Sequence, residues 1–297
     1  MEKKRGDANE ITRAYFDSLL LEARYIDSDT PSTQIDLFGD HFDTPIMTAA
    51  LSHMHRIYEN GMVELATGAK NSGAVYWTGM GDEAELEAIT ATGARTIKII
   101  KPYVDNEVIF NKITHAKSIS VLAVGMDIDH SFGNDGTYDN VLGFDMRPKN
   151  FEELKMFVDA ARPLPFIVKG VLSVSDAMKC LAAGAAGIVV SHHHGRLAYA
   201  VPPLQILPEI VKAIDGHMKI FVDCCIESGV DAYKALALGA DAVCVGQALI
   251  PDLKEGGHQG VTDKINKLTD ELKYAMAYTG VKSMDAFDSS VIWHREG

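Results

Sequence analysis

Short apolar runs recur along the chain, separated by longer stretches in which apolar positions return every three or four residues. The runs fall at Pro45–Ala49, Ala74–Trp77, Thr96–Ile100, Val121–Met126, Phe166–Lys169, Gly187–Ser191, Lys219–Asp223 and Ala242–Val245. Helical spacing covers Glu83–Thr92, Phe151–Ala161, Ser175–Ala183, Leu204–Ile214, Val230–Ala237 and Thr262–Ala277. Runs such as Ile188-Val189-Val190 and Ile220-Phe221-Val222 are apolar at every position, as parallel strands covered on both faces require. Eight strand–helix units within about 250 residues predict an α/β fold, a (β/α)8 or TIM barrel in a single domain. The barrel is expected over residues 44–297, after a helical lead-in and link over 1–43 whose helical pattern runs Ile11–Arg24. A doubly wound open sheet is the competing arrangement, but no G-x-G-x-x-G follows the first run.

Composition adds exclusions rather than chemistry. The chain of 297 residues is 47% hydrophobic and 23% charged, which describes an ordinary globular protein. Its 28 Lys and Arg against 41 Asp and Glu give a net charge of −13. That balance argues against nonspecific nucleic-acid binding and against attachment to an anionic membrane surface. Cys180, Cys224, Cys225 and Cys244 show no C-x-x-C spacing, so they are expected to be reduced, small core residues rather than a zinc cluster. No secretory apolar segment opens the chain and no apolar stretch is long enough to span a bilayer, so the cytoplasm is the expected address.

A barrel of this kind carries its chemistry at the C-terminal ends of its strands. Here the fourth run ends in Gly125-Met126-Asp127 and the fifth in Lys169-Gly170. The sixth ends in Ser191-His192-His193-His194-Gly195-Arg196, the seventh in Asp223-Cys224-Cys225, and the eighth is followed by Gly246-Gln247. Any one of these suits a solvated loop, but four consecutive strands ending in polar or ionisable groups point to a site. Lys169 alone is compatible with a Schiff-base lysine, and the His and Arg residues after the next strand argue against that role.

The segments PFIVKGVLSVSDAMKCLAAGAAGIVVSHHHGR and KIFVDCCIESGVDAYKALALGADAVCVGQ resemble the C-terminal half of the FMN-dependent 2-hydroxy-acid oxidases and dehydrogenases. That family includes glycolate oxidase, lactate oxidase and flavocytochrome b2. The likeness is dense from about Pro163 to Val281 and thinner from Phe16 to Asp129. It implies FMN as cofactor, a small 2-hydroxy acid as substrate, an electron acceptor that the sequence does not identify, and a homo-oligomer. His193 takes the position of the base that removes a proton during oxidation, a task suited to a neutral imidazole. Arg196 takes that of the substrate-carboxylate clamp. Asp127 matches the carboxylate that orients the His, and Tyr103 the Tyr that hydrogen-bonds substrate. Lys169 matches the lysine near the flavin N1–O2 edge. Ser191, Thr78, Lys101, Ala49, Asp223, Cys224, Cys225, Gly246 and Gln247 fall at the remaining cofactor positions.

The family's phosphate motif, Asp-Gly-Gly-x-Arg, here reads Asp223-Cys224-Cys225-Ile226-Glu227, and its later Gly-Arg reads Gly246-Gln247. Two charge-assisted contacts of about 1.5–3 kcal/mol each are therefore missing. A second carboxylate-binding Arg aligns with Asn134 or Asp135, and the flavin-contacting Gln of the third strand is Lys101. The family's N-terminal substrate Tyr has no counterpart. Two other readings stand beside the oxidase. One is a metal-dependent lyase or hydrolase using the His192–His194 cluster, although adjacent strand residues face opposite sides and at most two could share an ion. The other is a degenerate ligand-binding relative without turnover. The retained set His193, Asp127, Arg196, Lys169 and Tyr103 favours the oxidase, with no metal.

Overall fold

The computed structural model describes residues 5–295. Its central sheet has eight parallel strands: β1 (Ile46–Thr48), β2 (Tyr76–Thr78), β3 (Thr96–Ile100), β4 (Ala123–Asp127), β5 (Phe166–Val171), β6 (Gly187–Val190), β7 (Lys219–Val222) and β8 (Ala242–Val245). From β2 to β8 each strand pairs with the next, and β8 returns to β1. Thr48 closes the ring between β1 and β2. Its N–H donates to Val75 O at 3.2 Å, and its hydroxyl accepts from Trp77 N–H at 2.8 Å. The chain is thus the TIM barrel its apolar runs predict, with strand ends that differ from the runs by at most a few residues.

Alternation along the strands splits the apolar residues into two layers. Met47, Trp77, Ile97, Ile99, Ala123, Ile167, Val189, Phe221 and Cys244 fill the barrel interior. The intervening residues, among them Ile46, Tyr76, Val124, Val168, Ile188 and Val243, pack against the surrounding helices. A short antiparallel hairpin, Ile35–Leu37 with Asp40–Phe42, adds Leu37 and Phe42 to the interior cluster. The same period of two carries Lys101, Asp127, Lys169, Ser191 and Asp223 onto the inner face, directly beyond Ile99, Gly125, Ile167, Val189 and Phe221.

Around the barrel lie α2 (Gly61–Asn71), α3 (Glu83–Ala91), α4 (Asn106–Ser118), α5 (Phe151–Ala161), α6 (Val174–Ala182), α7 (Pro203–Ile214), α8 (Gly229–Ala237) and α9 (Ile250–Tyr278), preceded by α1 (Ala8–Ser18). Two differ from the sequence pattern. The helix expected to reach Arg24 stops at Ser18, because Leu19–Leu21 pairs antiparallel with Ile292–His294. That partner is far away in sequence, so local periodicity gives no sign of it. The last helix begins at Ile250 instead of Thr262, with a break at Gly257 whose φ of 55° and ψ of −139° interrupt the apolar period. Asp7 caps α1, and Arg13 of α1 pairs with Asp231 of α8 at 2.8 Å, joining the lead-in to the barrel wall. Among the described residues, no helix is long and apolar enough to cross a membrane.

Candidate active site

The polar layer at the C-terminal end of the barrel is a ladder of alternating charge. Lys101 Nζ lies 2.6 Å from Asp127 Oδ2, Lys169 Nζ 3.4 Å from Asp127 Oδ1, and Lys169 Nζ 3.2 Å from Asp223 Oδ2. All four side chains are buried. Isolated, each charge would be strongly unfavourable there; alternated, each has an opposite charge beside it. Burial opposes ionisation of Asp127, but the ammonium groups of Lys101 and Lys169 outweigh it and hold the carboxyl well below its ordinary range. Burial likewise works against the Lys169 cation, and Asp223 and Asp127 overcome it, raising the lysine well above its ordinary value.

His193 stands above this ladder. Strand β6 has ended by then, and His193 and His194 adopt left-handed φ angles of 46° and 59°. That turn is held by the His193 N–H, which donates to Ser191 Oγ at 3.0 Å. The His193 Nδ1 lies 2.8 Å from Asp129 Oδ1 and 3.7 Å from Asp127 Oδ1. The nearest carboxylate to the imidazole is therefore Asp129, two residues beyond the Asp127 expected from the resemblance. Asp127 is turned instead to Lys101, the residue standing where the family has Gln.

His130 completes the cluster, its ring 4.4 Å from that of His193 and nearly perpendicular to it. Burial, followed by the charges of Lys101 and His193, pushes the His130 imidazole down to about 4, so it is neutral at pH 7. Arg196 donates to His130 Nδ1 at 3.0 Å, which assigns the His130 proton to Nε2, 3.3 Å from His193 Nε2. His193 then carries its proton on Nδ1 toward Asp129 and a lone pair on Nε2. Arg196 also donates to Phe132 O at 2.7 Å and to Asp139 Oδ2 at 2.6 Å.

The other histidines of the triplet do not converge with His193. His192 Nε2 is 2.8 Å from Thr12 Oγ1, and His192 Nδ1 accepts from Gly195 N–H at 3.0 Å. His194 Nε2 is 2.7 Å from Gln247 Nε2. Asp127, Asp129, His130 and His193 do bring potential metal-ligand atoms within 4.8 Å of one another. The cations of Lys101, Lys169 and Arg196 lie against the same atoms and oppose a metal ion there.

A cavity of about 930 Å³ opens beside this cluster, of the size that holds a cofactor. Of the residues singled out in the sequence, Ala49, Lys169, His193, Asp223, Cys224, Cys225, Gly246 and Gln247 line it. Ser191, Thr78, Lys101, Tyr103, Asp127 and Arg196 do not. Ser191 braces the His193 turn, Thr78 is buried at the end of β2, and Lys101 is committed to Asp127. Tyr103 is buried, with its ring against Phe144 at 5.7 Å, and among the described residues no hydrogen bond joins its hydroxyl to His193 or Arg196. Asp129 and Asp139 carry no sequence signal, and His130 none beyond its residue type, because they lie between β4 and α5, where no period marks which side chains turn inward.

The cavity fits a flavin mononucleotide at its ring end. A Cβ on Gly246 would come within 3.2 Å of Ala49 Cβ, so two small residues from adjacent strands keep the floor low, and Lys169 supplies the buried cation. At the other end, Cys224 and Cys225 hold φ angles of 72° and 59°, a turn of the kind that gathers backbone N–H groups toward an anion. The N-terminus of α8 offers little more. The N–H groups of Glu227 and Ser228 donate to Asp231, and that of Gly229 donates to Glu271.

Comparison with known proteins identifies relatives of the same fold. The family model described as FMN-dependent dehydrogenase matches residues 3–162 and 149–294. An L-lactate oxidase of Lactobacillus jensenii is 29% identical over 287 residues, covering 86% of this chain and 70% of the relative. A 2-hydroxyacid oxidase of Dictyostelium discoideum is 28% identical over 306 residues, covering 92% and 79%. Among solved structures, a mandelate oxidase mutant with a monooxide FMN adduct superposes with a TM-score of 0.88 at 30% identity, over 98% of this chain and 92% of the other.

Proposed function

The chain belongs to the FMN-dependent dehydrogenase family, and from that premise we propose that it oxidises a small 2-hydroxy acid to the 2-oxo acid, with His193 as base. The observation that carries the assignment is the lone pair on His193 Nε2, left there by the Nδ1 contact to Asp129 at 2.8 Å. Bound FMN supplies the two-electron acceptor for the reducing equivalents of the substrate carbon. The substrate takes the place of the His130 N–H against His193 Nε2, and the imidazole removes a substrate proton. Asp129 then stabilises the imidazolium, with Asp127 second in line at 3.7 Å. Arg196 binds the carboxylate. Lys169, held in position by its ties to Asp127 and Asp223, would supply the cation that favours negative charge on a bound flavin ring.

At the phosphate end, the Cys224–Cys225 turn presents backbone N–H groups, and Lys264 supplies the cation that the absent arginines would have given. Lys264 lines the cavity and forms no ion pair among the described residues, whereas Arg13 is committed to Asp231 and Asp17.

The purified protein is expected to be yellow, and its flavin absorbance to bleach without oxygen on addition of a 2-hydroxy acid. His193→Ala should slow bleaching by about 10²–10⁴-fold, the usual worth of a positioned base, while retaining FMN. A colourless protein that takes up no FMN would overturn the oxidase reading. A His193→Ala variant that bleaches at the normal rate would overturn the base assignment.

A further inference from the structure

Arg196 already holds a carboxylate. Its Nη2 lies 2.6 Å from Asp139 Oδ2, and the same nitrogen donates to Phe132 O at 2.7 Å, while Nη1 donates to His130. Three of the five N–H groups of the guanidinium, the cation assigned above to the substrate, are therefore already taken by groups of this chain. Asp139 is mostly buried, its side chain 16% exposed. Burial opposes its charge, but the Arg196 guanidinium, which donates to it, keeps its carboxyl below the ordinary value, so it is an anion at neutral pH.

The contact is built into the backbone. The Asp139 N–H donates to Ser131 O at 3.2 Å, and its carbonyl accepts from Met146 N–H at 2.8 Å. The segment carrying it is pinned in turn to the end of β3: Val104 N–H donates to Asp145 O and Arg147 N–H to Pro102 O, both at 2.9 Å. These anchors hold the Asp139 backbone beside Arg196, so the carboxylate can leave the guanidinium only by rotating about its own side-chain bonds. At the position expected of a second arginine, nothing offsets the competition. Asn134 and Asp135 stand where one is expected, and Arg147 is paired with Glu153 at 2.5 Å.

We propose that Asp139 is a specificity-determining residue: a built-in carboxylate that competes for Arg196 and levels the preference of the site between a 2-hydroxy acid and its uncharged amide. A free acid must share the guanidinium with a fixed anion, and two carboxylates around one cation repel each other. An amide brings a carbonyl oxygen to the same place without that repulsion. The inference rests on the assignment of Arg196 to the substrate, and it concerns selection among substrates rather than the oxidation itself.

The test compares the holoenzyme with Asp139→Asn, using (S)-lactate with (S)-lactamide and (S)-mandelate with its amide in anaerobic bleaching. The half-saturating concentration of each acid should fall at least tenfold in the variant, and that of each amide should stay within twofold. Asn keeps the shape and an acceptor for Arg196, and Asp139→Ser guards against a misfolded result. Oxalate, a dianion with no hydroxyl to oxidise, reads the same contact by titration calorimetry without turnover. It should bind Asp139→Asn at least tenfold tighter than the native protein, and Arg196→Leu should erase that difference. If oxalate behaves so but no 2-hydroxy compound bleaches the flavin, the oxidase reading fails and the role of Asp139 stands. Acid and amide moving together, an acid affinity that drops in Asp139→Asn, or unchanged oxalate binding would each overturn the proposal.

Discussion

His130 shows how one residue ties the site to stability. It faces Lys101 and Arg196 as cations, Asp127 and Asp139 as anions, and the His193 ring. Burial comes first among the causes that bring its imidazole to about 4, against about 6.5 in an unfolded chain. Between those values the unfolded chain binds the proton and the folded one does not, so stability falls as pH falls. The contribution is intact above about pH 6.5 and lost progressively toward pH 4, amounting to no more than about 3 kcal/mol. In urea titrations across that range, His130→Gln should lose stability less steeply than the native protein. Parallel slopes would show that His130 is protonated in the fold. The buried ladder of Lys101, Asp127, Lys169 and Asp223 is legible in sequence once strand parity is assumed, since each residue ends a run on its inner face. The partner of His193 is not. Asp129 and His130 follow the strand in a short 3-10 turn, Ile128–Ser131, where no period tells which side chain turns inward.

Among the elements, the contact of α8 with α9 leaves the least room. A Cβ on Gly229 would sit 2.2 Å from Leu268 O and 2.4 Å from Leu272 N, both backbone atoms of α9. Backbone cannot yield as the end of a flexible side chain does, so Gly229→Ala should force the helices apart at a cost of about 1–3 kcal/mol. A thermal melt should show the shift, and an unchanged midpoint would mean that α9 slides freely along the barrel. Gly229 also follows the Ser228 cap, which accepts from Asp231 N–H at 3.1 Å, so the substitution would disturb the turn below the Cys224–Cys225 segment. Helices α5, α6 and α8 are readable because each opens on a polar cap and repeats its apolar face; Asn150, Ser173 and Ser228 all cap as such residues do. The end of α1 and the start of α9 were not readable, since one is fixed by a strand some 270 residues away and the other is hidden by the consecutive Gly256 and Gly257.

At the scale of the whole molecule, the net charge of −13 matters where it gathers. Glu10, Asp223, Glu227 and Asp252 line the cavity against Arg13, Lys169 and Lys264. Asp223 is neutralised by Lys169 and Arg13 by Asp231, which leaves Lys264 on the cavity wall with Glu227 and Asp252. A phosphate dianion entering that space meets more negative than positive charge, and at 0.15 M salt the field still reaches about 8 Å. Two substitutions separate the contributions. Glu227→Gln removes repulsion at the position where the family has Arg, and should tighten FMN binding to the apoprotein about tenfold. Lys264→Glu reverses the cation assigned to the phosphate and should weaken binding by tenfold or more, the scale of one charge-assisted contact. Quenching of flavin fluorescence on titration into apoprotein measures both without any substrate. Riboflavin, which has the ring and no phosphate, should respond to neither change. Equal effects on riboflavin would mean that the two substitutions act on the fold of the cavity, and no effect on FMN would put its phosphate elsewhere, over the backbone of the Cys224–Cys225 turn alone.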